Sequence, residues 1–529
     1  MKKFKKALAV LLVLCMVLSL AGCSGDDDKK NVNAPTNAAD KKDSDKKTDD
    51  TKTTKDDDKK TTADDDKDVN VDEPDDSDND GDDEIEPDDE VVETKTFANG
   101  VYINEDGIYC NADGTTVDLG GMEIWLGDWF SKEETPEPVT AYEEATAEYR
   151  DYIQETYNFT IKNHKLSGYG TYLENFTNFA TSGGDENYVF CMDNAMVTTP
   201  MLSGLFADLN QIDILDFTEE KWDSSVGYLT TQGSATYGMR ADATEPRGGV
   251  LFNKRLFEEA GIDPELPYDL QAKNEWTWDT FEDICKQLTR DTDNDGANDC
   301  WAMTSFKGDL MNAAIASNGA QLIDIDDNGK FYLASNSDKF MEAYDWIGYM
   351  RQNYEMPSLE GEDGDNWDYA YGAFERAEAA MIVCEEYMVG TYNETMADDF
   401  GFVMFPRGPK VDELTGYSRD NIYAIPSCYD ADRTWKIAFA YNLYTEPTPD
   451  YEDADDWKMN YYPIFRDERA VDETLELMRT HQDALIYRVI PKVNTDNEYY
   501  YNIDSETAAE RYEIKKDEYQ SYIDAIQAP

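Results

Sequence analysis

From Phe97 onward, short apolar runs alternate with stretches of helical spacing. Val101-Tyr102-Ile103 and Ile108-Tyr109-Cys110 flank Asp106-Gly107, and Asp113-Gly114 follows. That pattern predicts a small β-meander turning on Asp-Gly pairs. Residues 122–129 form an apolar strand that ends in polar and aromatic groups. Between about 139 and 157, Tyr142, Ala145, Tyr149, Tyr152, Ile153 and Thr156 fall on one side of a helix. A strand over 159–165, a helix around 172–180 and an apolar strand over 188–192 come next. The order β-α-β-α-β predicts an α/β fold with a parallel sheet covered by helices. Ligands of such sheets sit beyond the strand C-termini. Asp128, Trp129, Asp193 and Asn194 fall there.

Residues 24–95 break this pattern. They are Asp, Lys, Thr and Asn with almost no apolar positions. Such a segment cannot bury enough surface to offset its ordering entropy, so it is expected to be a disordered, acidic spacer. The net charge of −67 extends well beyond it, because the residues from Thr96 on carry −54. A body this acidic repels phosphate backbones, which excludes nucleic acid as a partner. It favours a neutral or cationic ligand, although a well-solvated surface accounts for much of the charge. His164 and His481 are the only histidines, which leaves little material for a histidine-rich zinc site or a Ser-His-Asp triad. Six cysteines of the body lie far apart without a CxxC pair and several sit in apolar runs, so they read as buried small hydrophobes. The length allows two or three domains.

The first 23 residues have their own layout. Lys2, Lys3, Lys5 and Lys6 precede an apolar run from Ala7 to Leu18, too short to span a bilayer. Leu20-Ala21-Gly22-Cys23 follows and resembles the lipobox of bacterial lipoproteins, in which the cysteine thiol is lipidated and becomes the new N-terminus. The expectation is a signal over 1–23 and a lipid anchor on Cys23, holding the body on the outer face of a Gram-positive cell membrane. Stable anchoring takes more than one acyl chain.

Further along, a row of motifs resembles the extracellular solute-binding proteins, family 1, of ABC importers. Gly249-Val250-Leu251-Phe252-Asn253-Lys254-Arg255-Leu256-Phe257-Glu258-Glu259-Ala260-Gly261-Ile262 is similar to that family's "YNKdlFeeAG" stretch. Trp276-Thr277-Trp278-Asp279-Thr280-Phe281 resembles its "TWdeF" helix start, with Thr277 or Asp279 as cap and Phe281, Ile284, Cys285 and Leu288 as apolar face. Ile315-Ala316-Ser317-Asn318-Gly319-Ala320, Phe374 to Met381 and Phe405-Pro406-Arg407-Gly408-Pro409 continue the order. Ala377-Glu378 stands where the family usually has Gly-Lys. The resemblance covers about 118–445, and the Tyr-rich tail matches poorly and reads only as helical.

The resemblance implies a type II periplasmic-binding-protein-like fold of two α/β lobes joined by a hinge. The first lobe is expected over 97–238 and 400–445, the second over 239–399 and 446–529. It implies a monomeric receptor that captures a sugar or oligosaccharide for a membrane permease, not an enzyme. Asp128, Trp129, Asp193 and Asn194 match ligand-contact turns of the first lobe. Glu385 and Tyr387 match a turn of the second, and Trp367 is a looser candidate. Aromatic rings would cover apolar sugar faces and carboxylates would accept from hydroxyls. The alternatives are a secreted glycoside hydrolase, for which paired carboxylates are abundant but uninformative, and a cell-surface carbohydrate-binding or structural module.

One loop carries its own chemistry. Asp291, Asp293, Asp295 and Asp299 stand at positions 1, 3, 5 and 9 of an EF-hand-like loop, with Gly296 at the turn and the Ala297 carbonyl at position 7. Ala302 replaces the bidentate Glu of position 12. The spacing predicts a structural Ca2+ site, against a solvated turn held by Asx-type bonds. Asp324-Ile325-Asp326-Asp327-Asn328-Gly329 lacks it and predicts a hairpin turn.

Overall fold

The computed structural model describes residues 95–132, 137–242, 247–357, 369–419, 421–451, 453, 455–493 and 498–527. The signal, Cys23, nearly all of the acidic spacer and Trp367 lie outside these residues. The described body falls into two α/β lobes, each built on a four-stranded sheet.

In the first lobe, β1 (Met122–Asp128), α1 (Ala141–Tyr157), β2 (Phe159–Lys165), α2 (Tyr169–Ser182), β3 (Asn187–Asp193) and α3 (Asn194–Leu202) follow the predicted alternation. Thr140 and Glu143 close a reciprocal capping box at the start of α1, which fixes where that helix begins. β1 pairs in parallel with β2 and with β3. Both faces of β3 are covered: Val189 faces one core cluster, while Tyr188, Phe190 and Met192 face another. That is why β3 reads as a continuous apolar run.

The second lobe contains β4 (Gly248–Asn253), α4 (Trp278–Leu288), β5 (Trp301–Ser305), α5 (Lys307–Ser317), α6 (Asp338–Tyr354), β6 (Ala379–Glu385), α7 (Met388–Thr395) and β7 (Phe400–Met404). Its sheet order is β7-β4-β6-β5, with β6 parallel to β5 and β4 antiparallel to both of its neighbours. β4, β6 and β7 are buried along their whole length. The helix caps on Thr277, and Phe281, Ile284, Cys285 and Leu288 are all buried. Gly249 is required by close packing, since a Cβ there would lie 2.4 Å from Phe402 and 2.8 Å from the Val403 carbonyl.

This assignment moves two expected boundaries. Residues 400–404 belong to the second sheet, because Phe402 and Val403 pair with Leu251 and Val250. The return to the first lobe falls later, between β8 (Gly416–Ser418) and β9 (Asn421–Ala424), and β9 pairs with β3. Likewise Met239 still bridges Tyr423 in the first lobe, so the first crossing lies after 239. α8 (Ala431–Tyr444) then packs on the first lobe.

The tail is not uniformly helical. It makes short 3₁₀ turns over Asp456–Asn460 and Ile486–Val489, a π turn over Ala470–Leu475 and a strand, β10 (Gln482–Ala484), parallel to β8, before α9 (Ala508–Gln527). Its tyrosines complete the second core: Tyr499 is buried against Phe340, Tyr344 and Tyr519. The expected Asp-Gly meander and the hairpin of Ile323–Ile325 with Phe331–Leu333 are both present. Of the six body cysteines, Cys110, Cys191, Cys285, Cys300 and Cys384 are buried, and none is in a disulfide. Among the described residues, no helix is long and apolar enough to cross a membrane.

Candidate functional site

The candidate residues collect at the C-terminal ends of β1, β3 and β6. These are the positions where an open α/β sheet presents its loops.

On the first lobe, Asp128 ends β1 but turns inward. Its carboxylate is buried, accepts from the backbone N–H groups of Phe130 (3.0 Å) and Ser131 (2.8 Å), and also accepts from the Ser131 hydroxyl. Asp128 therefore shapes the turn that presents Trp129. The Trp129 ring meets Phe130, Tyr169 and Tyr172 edge-to-face at 5.2–5.6 Å between centroids. Tyr172 is locked beneath, its hydroxyl donating to the Gly127 carbonyl at 2.6 Å. Phe130 and Tyr169 are about half exposed, at 52% and 47%. The result is an aromatic ledge with a fixed floor.

Asp193 caps α3 through the Ala195 N–H at 2.8 Å. Arg488 approaches both Asp193 and Asn194: Nη2 donates to Asp193 Oδ1 and Nε to Asn194 Oδ1, each at 2.7 Å. Burial pushes the Asp193 carboxyl upward, but Arg488 and Arg419 outweigh it and hold the group below the usual carboxylate range. The same arginines face Tyr169, whose hydroxyl is pushed up by burial and by Asp193.

On the second lobe, Glu385 ends β6 and is 1% exposed. Arg419 Nη2 lies 2.9 Å from Glu385 Oε2, and its Nε lies 4.0 Å from Asp193 Oδ2. One guanidinium thus stands between the buried acids of the two lobes. Tyr417 donates to Glu385 Oε1 at 3.3 Å. Tyr387 is 51% exposed as a residue, yet its hydroxyl is turned in beside Tyr371. Desolvation, with the charges of Glu385 and Asp309, pushes that hydroxyl up to about 12, so it stays a neutral donor.

Trp129, Asp193, Asn194 and Glu385 are thus linked through Tyr169, Arg488 and Arg419, Tyr387 stands beside them within reach of the Glu385 and Arg419 charges, and Asp128 supports the turn beneath Trp129. The crossing segments are tied together, with Arg247 Nε donating to the Arg419 carbonyl at 3.2 Å. Arg419, Arg488 and Tyr169 are absent from the sequence-based candidates. The detectable signal was Arg488 inside Leu485-Ile486-Tyr487-Arg488-Val489-Ile490, since a charge within an apolar run needs a buried partner.

The Asp loop is elsewhere, at the N-terminal end of β5. Asp291, Asp293 and Asp299 each offer a carboxylate oxygen within 4.8 Å of the others, and Asp295 is outside that group. Much of their capacity is used locally. Asp299 accepts from Thr292 and Asp293 N–H groups, and Asp291 accepts from Asn294 and Gly296. Asp295 accepts from the N–H of Ala297 at 2.8 Å.

No curated protein matches the chain in sequence. Solved structures share its fold. UgpB from Mycobacterium tuberculosis in complex with glycerophosphocholine is 15% identical with a TM-score of 0.55, over 77% of this chain and 99% of that one. The maltose/maltodextrin-binding domain MalE from Bdellovibrio bacteriovorus bound to maltotriose is 14% identical with a TM-score of 0.52, over 76% and 98%. A sugar transporter from Rhizobium etli in an open conformation is 16% identical with a TM-score of 0.53, over 77% and 99%. The family model described as bacterial extracellular solute-binding protein matches residues 132–427, more than half of the chain. The two-lobed fold and that match agree, and the protein belongs to the bacterial extracellular solute-binding proteins.

Proposed function

We propose that this chain captures a neutral, polyhydroxylated solute, a sugar or oligosaccharide, and delivers it to an ABC permease from a lipid anchor at Cys23. Members of the family are transport receptors and not enzymes, so paired carboxylates here are read as binding and structural groups. The observation that carries the reading is the pair of half-exposed aromatic surfaces, Trp129 with Tyr169 and Phe130 on one lobe and Tyr387 on the other, flanking buried acids already paired with arginines. Rings supply area for pyranose faces, while Tyr387, Tyr169 and the guanidinium groups supply directed donors. Asp193 and Glu385 are balanced by Arg488 and Arg419, which favours an uncharged ligand over a net anion or cation. The solutes bound by the fold neighbours, maltotriose and glycerophosphocholine among them, set the range to screen.

A thermal-shift screen tests this. Maltooligosaccharides, monosaccharides, glycerophosphocholine, amino acids and short peptides are added to the purified chain, and a binder of the folded state raises the melting temperature. A shift by a sugar supports the reading. A shift by amino acids or peptides alone, with none from any sugar, overturns it. We also propose that the Asp loop takes Ca2+ through Asp291, Asp293 and Asp299, with Asp295 and the Ala297 carbonyl drawn in on binding. Its part would be to stiffen the link between α4 and β5.

A further inference from the structure

Residues 485–490 are packed into the second lobe. Leu485, Tyr487, Val489 and Ile490 are buried in its core. Tyr487 Oη donates to Asn312 Oδ1 of α5 at 2.9 Å, and Gln321 Nε2 donates to the Ala484 carbonyl at 3.1 Å. The same segment also grips the first lobe. Arg488 reaches Asp193 and Asn194 at 2.7 Å, and Thr198 Oγ1 donates to the Val489 carbonyl at 2.5 Å. Asn194 and Thr198 lie on α3, and Asp193 caps that helix. Three polar contacts therefore join the lobes without a covalent crossing.

We propose that residues 485–490 are a clasp between the lobes and that Arg488 is its positioning residue, setting the separation of the cleft walls before any ligand arrives. This goes beyond ligand capture, since it needs no ligand. Asp193 and Asn194 are 3% and 2% exposed. Pulling the lobes apart here would strand a desolvated carboxylate and a desolvated guanidinium, and breaking one side of such a pair is strongly unfavourable. The guanidinium fork engages two acceptors at once, which an ammonium on a flexible stem does not reproduce. Thr198 adds a neutral bond one helical turn further on, so the grip has two points and resists rotation as well as separation.

The test uses the ligand-free full chain. Hydrogen exchange is followed over 194–202 and 485–490, with β4 and β6 as internal controls, alongside small-angle scattering. Asp193→Asn with Arg488→Met removes both charges together, so neither is left unpaired. Exchange in both segments should accelerate together by about tenfold or more, with a larger radius of gyration and unchanged protection in β4 and β6. A folded double variant with unchanged exchange and scattering overturns the clasp. Should that variant fail to fold, Thr198→Val decides. Faster exchange confined to the same two segments supports the clasp, and unchanged exchange there overturns it.

Discussion

Tyr387→Ala isolates the contribution of one ring to binding. A tyrosine side chain covers on the order of 150–250 Å² when fully buried. With 51% of Tyr387 still exposed, about 100 Å² is left for a ligand to cover. At ~25 cal/mol per Å², covering half to all of that contributes about 1–2.5 kcal/mol. The expected loss of affinity is therefore about 5- to 60-fold. Stability should change little, because the ring is not in a core and its hydroxyl bonds to Tyr371 at the cleft surface. Losing that bond costs about 1 kcal/mol. Trp129→Ala is a less clean test, since its ring packs on Tyr169 and Tyr172 and its loss would also loosen the ledge. Titration calorimetry with the sugar that gives the largest thermal shift is the assay, with circular dichroism as folding control. Tyr387→Phe keeps the area and should lose less affinity than Tyr387→Ala. A folded Tyr387→Ala protein with wild-type affinity would refute the placement of the ligand against this ring.

Four further outcomes are expected. Gly249→Ala should destabilise the second lobe by about 1–3 kcal/mol in urea melts, because its Cβ would meet Phe402 and the Val403 carbonyl; an unchanged midpoint would contradict the packing described. Adding Ca2+ after chelation should raise the melting temperature, and Asp291→Asn with Asp299→Asn should abolish the response; wild-type melting indifferent to Ca2+ leaves a solvated turn. Cys23→Ser should move the protein from the membrane fraction to the medium with ligand binding intact; retention in the membrane contradicts the anchor. Burial pushes the Tyr109 and Tyr499 hydroxyls up to about 12, while the unfolded chain ionises near 10. The unfolded state then loses protons first, so stability should hold below about pH 10 and fall towards pH 12. A urea midpoint that stays flat from pH 8 to 12 would contradict this.

The first lobe was legible because its elements are local. Thr140 and Glu143 mark the start of α1 within one turn, and β2 and β3 are bounded by the change from apolar to polar residues. The second lobe was less so where pairing is distant. Nothing within 400–404 says whether that strand joins Val250 and Leu251 or the first sheet, since both cores demand the same apolar run. The tail failed for a related reason. Its tyrosines are spaced for neither helix nor strand, because they fill gaps between α6 and α9 rather than line one face.

The candidate site divides along the same line. Strand ends point outward by topology, so Asp128, Trp129, Asp193 and Asn194 could be placed at loops from the sequence, while Glu385 was placed by the family resemblance. What those loops do depends on partners far along the chain. Asp193 lies 295 positions from Arg488, and Glu385 reaches Asp193 through Arg419. In a chain of net charge −67, an unpaired buried acid would be costly to keep ionised. Two of the scarcer cations are therefore placed between the acids of opposite lobes. That arrangement pairs Asp193 and Glu385 with arginines, and in the function proposed above it is the aromatic rings, tyrosine hydroxyls and guanidinium edges that would be offered to a solute. On the proposed function and the proposed clasp together, specificity would follow from ring spacing across the hinge, held by the arginine contacts, more than from Asp193 and Glu385 themselves.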